Sequence, residues 1–187
     1  MKRSELNAIL ADARDIFERH GWALPPKPRW DLTDFGYNDF DNYGLVLVNL
    51  SELPEYCEKL MLTKQNQITL AHTHGSKQED IISRFGTLAI QLWNNPDQQA
   101  GEKFTLLRNG EEVEVVSGDT LYLAAGERVT LKPGIYHAFW SVGEYCVVGE
   151  VSTANDDVGD NIFVDPNVGR FPEIEDDVPA YAKLVSE

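Results

Sequence analysis

Apolar and polar positions along the chain change their period once, near residue 43. Before that point Leu6, Ile9, Leu10, Ala13, Ile16 and Phe17 recur at intervals of three and four, which makes one stripe on a helix of 3.6 residues per turn. The spacing predicts an amphipathic helix over residues 4–20. Ser4 is the expected N-cap, and His20 and Gly21 mark the end, where a cation and a left-handed residue are both favoured. Pro25, Pro26 and Pro28 then forbid helix and force an extended crossing. Segment 30–41 is aromatic and acidic. It reads either as a loop packed over the core or as one wall of a ligand pocket.

After residue 43 the period becomes that of strands. Residues 44–50, 58–63 and 67–74 form apolar runs between turn residues, and 80–93 holds one or two more with Gly86 as a bend. Runs 104–107 and 112–115 flank Asn109-Gly110, the strongest short hairpin signal. Runs 121–123, 128–131, 138–140 and 145–148 complete the series. Many short strands at this spacing predict an all-β barrel or sandwich. The expected organisation is a single domain: helix and extended arm over 1–42, barrel over 43–153, and a tail over 154–187 that packs on the barrel.

Composition narrows the function. A chain of 187 residues with 42% hydrophobic content buries a core without staples. Its net charge of −15 repels a polyphosphate partner, which argues against nucleic acid. No apolar run reaches membrane-span length, and Met1-Lys2-Arg3-Ser4 leads into a polar helix rather than a signal peptide. Cys57 and Cys146 are too few for a disulfide framework and read as free thiols. A cytoplasmic location fits these features, and an exposed barrel edge invites a homodimer.

The chemistry centres on His72-Thr73-His74-Gly75-Ser76-Lys77-Gln78-Glu79. On a strand, positions i and i+2 share a face, so both imidazoles converge. The Gly75-Ser76 turn can return the Glu79 carboxylate beside them, giving most of a divalent-metal site. His137 follows the turn Lys132-Pro133-Gly134 into another strand, and a closed barrel can set it beside the first pair. His20 is a helix-end histidine and stays outside the site. Lys77 stands between ligands, either reaching the metal's open face or pointing to solvent. Glu150, in a strand-like run, is either a substrate-binding carboxylate or a hydrogen-bonded structural one. Arg170 either holds a ligand hydroxyl or pairs with the acidic tail.

Two resemblances follow from these residues. His72-x-His74-x4-Glu79-x6-Gly86 resembles the first cupin motif, with Asn66 in place of its leading glycine, and Pro133-Gly134-x2-His137 is similar to the second, with Ser141 in place of its final Asn. More narrowly, Met1-Lys2-Arg3-Ser4-Glu5, Ala23-Leu24-Pro25-Pro26, Lys77-x-Glu79-Asp80-Ile81, Gly149-Glu150-Val151-Ser152 and Gly169-Arg170-Phe171-Pro172-x-Ile174-Glu175 resemble bacterial D-lyxose isomerases. The resemblance implies a cupin-type β-barrel (jelly roll) with an N-terminal helix and short peripheral helices. It implies an aldose–ketose isomerase acting on D-lyxose and D-xylulose, and on D-mannose and D-fructose, with Mn2+ or another divalent cation such as Co2+. The implied ligands are His72, His74, Glu79 and His137. The implied acid/base pair is Lys77, as neutral amine, and a glutamate, for which Glu175 is favoured over Glu173 and Glu150. Phe171 and Ile174 suggest that the tail docks on the barrel mouth. A cupin dioxygenase or a non-catalytic sugar-binding cupin remains the alternative.

Overall fold

Helix α1 (Arg3–Arg19) forms where the stripe predicts it and buries Leu6, Leu10, Ala13, Ile16 and Phe17. The computed structural model describes residues 1–153, 156, 159–169 and 173–187. The helix starts one residue earlier than expected and its N-cap two residues earlier, at Lys2, whose backbone N–H is taken by Glu5 at 2.8 Å. Ser4 is therefore inside the first turn, where its amide and hydroxyl donate to Asp177. The other end behaves as read: Gly21 takes φ +83°, and His20 stacks on Phe85 with centroids 3.6 Å apart.

The strands form two antiparallel sheets. The larger runs in the order β1 (Arg29–Thr33), β2 (Leu45–Glu52), β3 (Tyr56–Lys64), β12 (Tyr145–Thr153), β5 (Glu79–Phe85), β10 (Arg128–Leu131), β7 (Lys103–Arg108), β8 (Glu111–Val116). The smaller runs β13 (Asn161–Phe163), β4 (His72–His74), β11 (Tyr136–Ser141), β6 (Leu88–Trp93), β9 (Thr120–Leu123). Leu45, Leu47, Met61, Ile81, Leu92, Phe139 and Val148 pack between the sheets, while Val46, Val48, Leu60 and Leu62 pack outward under α1. β2 reads as continuous apolar sequence because both of its faces are covered.

Three elements escape the pattern. β1 lies in the segment read as loop or pocket wall; it pairs with β2 from Arg29↔Asn49 to Thr33↔Leu45. A short helix α2 (Phe40–Tyr43) follows, capped by Asp39. β13 pairs with β4. The run 67–74 is strand only at His72–His74; upstream it follows β11 by single contacts, such as Thr69 N–H to the Phe139 carbonyl at 3.0 Å. Asn66, standing where the cupin motif has glycine, takes φ +72°. The position calls for a left-handed residue, and Asn is among the few others that tolerate it. Asn109 and Gly110 take φ +54° and +83°, the twist that a two-residue hairpin needs. That hairpin leaves β8 at the sheet edge with Glu111, Glu112 and Glu114 exposed. No helix of the described residues is long and apolar enough to cross a membrane.

Candidate active site

β4 and β11 lie side by side in the smaller sheet, with His72 opposite His137. The period of two turns His74 to the same face as His72. The ligand atoms of His72, His74 and His137 lie within 4.8 Å of one another. Glu79 opens β5 in the facing sheet, and its Oε1 is 3.1 Å from Nε2 of His74 and 3.1 Å from Nε2 of His137. Three imidazoles from one sheet thus meet one carboxylate from the other.

The donor set fits a divalent cation. His72 Nδ1 lies 2.8 Å from the Leu70 carbonyl and His137 Nδ1 3.4 Å from that of Ile135. In the tautomer where Nδ1 donates, each Nε2 presents a lone pair inward, and a carboxylate oxygen beside it presents another. Such a convergence of acceptors is resolved by a cation between them. Burial, followed by the charges of His137 and His74, holds the His72 imidazole well below its ordinary value and so neutral, as a ligand must be. Burial opposes the Glu79 charge, but the Lys77 ammonium together with His137 and His74 outweighs it, and the carboxyl titrates well below the usual range.

Lys77 is buried, with Nζ 3.0 Å from Glu79 Oε2 and 3.0 Å from Glu150 Oε1. Lys59 on β3 stands on the other side, 3.6 Å from the same Glu150 oxygen. Carboxylates and ammonium groups therefore alternate along the inner wall. The resemblance implied a neutral Lys77 amine; in the metal-free protein its neighbours favour the ammonium. Burial pushes the ammonium down, but Glu150 and Glu79 push it up and prevail, so Lys77 stays charged above the ordinary lysine value.

A cavity of about 360 Å3 opens over these groups, within the size range of small-ligand sites, which starts at about 300 Å3. Its polar lining includes Asp31, Thr33, Lys59, Lys77, Glu150 and Asn161, and its apolar lining includes Phe35, Met61, Phe139 and Phe163. The segment read as loop or wall does form a wall, through Asp31, Thr33 and Phe35. At the mouth two backbones cross: Gly169 N–H donates to the Phe35 carbonyl at 2.8 Å, and a Cβ on Gly36 would stand 2.7 Å from Gly169 Cα.

The structure thus brings together His72, His74, Lys77, Glu79, His137 and Glu150. It does not bring Glu175 to them. Glu175 is exposed, its backbone is bridged to Lys2, and it lines a separate surface cleft with Met1, Asp34 and Glu173. The tail from 173 onward packs on α1 and β1, through Ile174, Ala182 and Leu184, while Asn161, Phe163, Val168 and Gly169 line the cavity. Arg170 and Phe171 lie outside the described residues. Lys59 and Asp31 were missed, since each stands beside other charged residues, Glu58 or Arg29 and Asp34, that read as an exposed segment. Asp160, against the 75–77 turn, carried no signal in the sequence at all.

A two-sheet β-barrel with imidazoles and a carboxylate at the floor of its cavity defines a cupin-like fold with a candidate metal centre. Residues 27–187 match the family model described as D-lyxose isomerase, and the chain belongs to that family. The D-lyxose/D-mannose isomerase of Escherichia coli O157:H7 is 36% identical over all of this chain and 98% of its own length. The D-lyxose/D-mannose isomerase of Serratia proteamaculans is 35% identical, with 100% and 97% covered. Among solved structures, the ligand-free L-ribose isomerase of Cellulomonas parahominis superposes with a TM-score of 0.72 over 94% of this chain and 98% of its own, at 17% identity; it speaks for the fold. The chain is accordingly a sugar isomerase, of the class that interconverts aldoses and ketoses. That sets aside the dioxygenase and the non-catalytic binding protein.

Proposed function

We propose that this isomerase interconverts D-lyxose with D-xylulose and D-mannose with D-fructose, using Mn2+ held by His72, His74, Glu79 and His137. The observation that carries the reading is the meeting of those four side chains beneath a cavity whose wall holds the Lys77–Glu150 pair. The names of the full-length relatives support the sugars. A divalent cation at this position supplies Lewis acidity to the sugar's carbonyl end and lowers the cost of the enediolate.

The remaining chemistry belongs to the chain. Glu150 takes the carbon-bound proton from C2 of the aldose and returns it to C1. Lys77, kept charged, gives a proton to O1 and recovers one from O2, so that the C2–O2 end gives up two protons and the C1–O1 end gains two. Glu150 takes the acid/base role for which Glu175 was favoured, because it lines the cavity within reach of Lys77 and, unlike Glu79, is not among the proposed metal ligands. Lys59 holds Glu150 from behind. Phe35, Phe139 and Phe163 keep water from the reacting carbons. The reading includes a homodimer and a cytoplasmic location, the latter supported by two buried thiols, Cys57 and Cys146.

The test is metal-free protein incubated with D-lyxose, D-mannose or D-ribose in deuterated water, with Mn2+, Co2+, Ni2+ or Fe2+ returned singly. Ketose formed from D-lyxose and D-mannose, most strongly with Mn2+ and carrying carbon-bound deuterium, is expected. No ketose with any cation would end the reading.

A further inference from the structure

We propose that Asp160 is a positioning residue of this isomerase, clasping the 75–77 turn and serving as the acceptor for His74 Nδ1, so that it aims one ligand imidazole and the Lys77 side chain together. The inference rests on the metal reading above.

Asp160 lies one residue before β13. Its Oδ1 accepts from the Ser76 amide and hydroxyl, both at 2.7 Å, and its Oδ2 accepts from the Lys77 amide at 3.0 Å. Its backbone carbonyl accepts from the Gly75 amide at 2.9 Å. Even Gly75 belongs to the clasp, since a Cβ there would stand 3.2 Å from Asp160 Oδ1. One residue therefore holds three successive amides of the turn that joins His74 to Lys77.

The second half of the argument is His74 itself. Its Nε2 faces Glu79 and the convergence point. With that nitrogen engaged as a ligand, the ring proton resides on Nδ1. Nδ1 is buried and has no hydrogen-bond partner among the described residues, and Asp160 Oδ2 is 3.9 Å away. A buried donor lacking an acceptor carries the full desolvation cost, so a small approach of ring and carboxylate is favoured once Nε2 is engaged.

An amide cannot serve both sides. In Asp160→Asn one oxygen accepts from the Ser76 side or from His74, while the NH2 group opposes the other donor. Ser76→Ala removes a turn hydrogen bond and leaves the His74 side alone. The measurements are Mn2+ affinity of metal-free protein by chelator competition, kcat and KM separately, and amide exchange at residues 75–77. D160N is expected to weaken Mn2+ binding about 10–100-fold, to lower kcat more than it raises KM, and to speed exchange of the turn amides. Asp160→Ser, smaller and polar, is a second variant with the same expectation. S76A should lose thermal stability while keeping its Mn2+ affinity within about twofold. Unchanged Mn2+ affinity in D160N and D160S, or an equal loss in S76A, overturns the assignment and leaves the metal reading standing. Failure of the unaltered protein to bind any divalent cation overturns both.

Discussion

His137 stands directly across from His72 in the β4–β11 ladder, with ring centroids 4.3 Å apart. Register makes this pair, and a slip of one residue would carry His137 to the opposite face. His137→Ala should therefore empty the site without unfolding the barrel. Turnover is expected to fall on the order of 10²–10³-fold, the scale at which a lost charge-stabilising group is felt. Metal content by mass spectrometry should fall with it, while the circular dichroism spectrum stays that of the parent. A variant that retains both metal and rate would remove His137 from the ligand set.

Lys77 is shared by Glu79 and Glu150, so its removal acts on stability and rate together. Lys77→Met takes the shared cation from two buried carboxylates, a change that costs about 3–5 kcal/mol in comparable sites. The double variant Lys77→Met/Glu150→Met should recover part of that loss in urea unfolding, since the groups are coupled. The rate should not recover: each single variant is expected to lose about 10²–10⁴ in kcat. Additive destabilisation would mean that the pair does not interact.

Acid and base should act on the metal-free protein in separable steps. The His72 value is lowered on folding, so its contribution is present above 6.5 and declines as pH falls below that. Glu79 is also lowered, so its contribution is intact above 4.5 and is lost below it. Lys77 is raised, so its contribution is complete below 10.5 and lost as pH rises beyond. Where the unfolded chain binds more protons, stability climbs with pH. Thermal melts across pH should show a plateau between 6.5 and 10.5, as far as these groups decide it. In His72→Phe the upper acid step should vanish. An unchanged profile in that variant would contradict the assignment.

The crossing at the cavity mouth leaves no room for a side chain. Gly36 combines φ +79° with a Cβ position 2.7 Å from Gly169 Cα. Gly36→Ala should cost about 1–3 kcal/mol from backbone strain alone. It should also raise KM, because the displaced backbone carries Val168 and Gly169, which line the cavity. A neutral Gly36→Ala variant would show that the two loops part easily.

What could be read in the sequence follows locality. Helix α1 and the Asn109-Gly110 hairpin are written in residues a few positions apart, and both formed within a few residues of where they were expected. The meeting of His72, His74 and Glu79 was legible because strand period and one short turn fix it. His137 needed only the further assumption that the barrel closes. β1 and β13 were hidden, since each is a short segment made into strand by its partner, β2 or β4. The pairing of Lys77 with Glu150 was hidden because Glu150 reaches it from a distant strand, which spacing does not reveal. Glu175 looked suitable beside family-like residues, yet its backbone is committed to the start of α1.

The glutamates along β8 have a consequence for how copies of this molecule meet. Laying two such rims together antiparallel would set carboxylate against carboxylate, which a ladder of backbone hydrogen bonds does not easily overcome. Near neutrality this rim acts as a fence against end-to-end growth into fibres. Acidification takes the fence down, and turbidity should first emerge there.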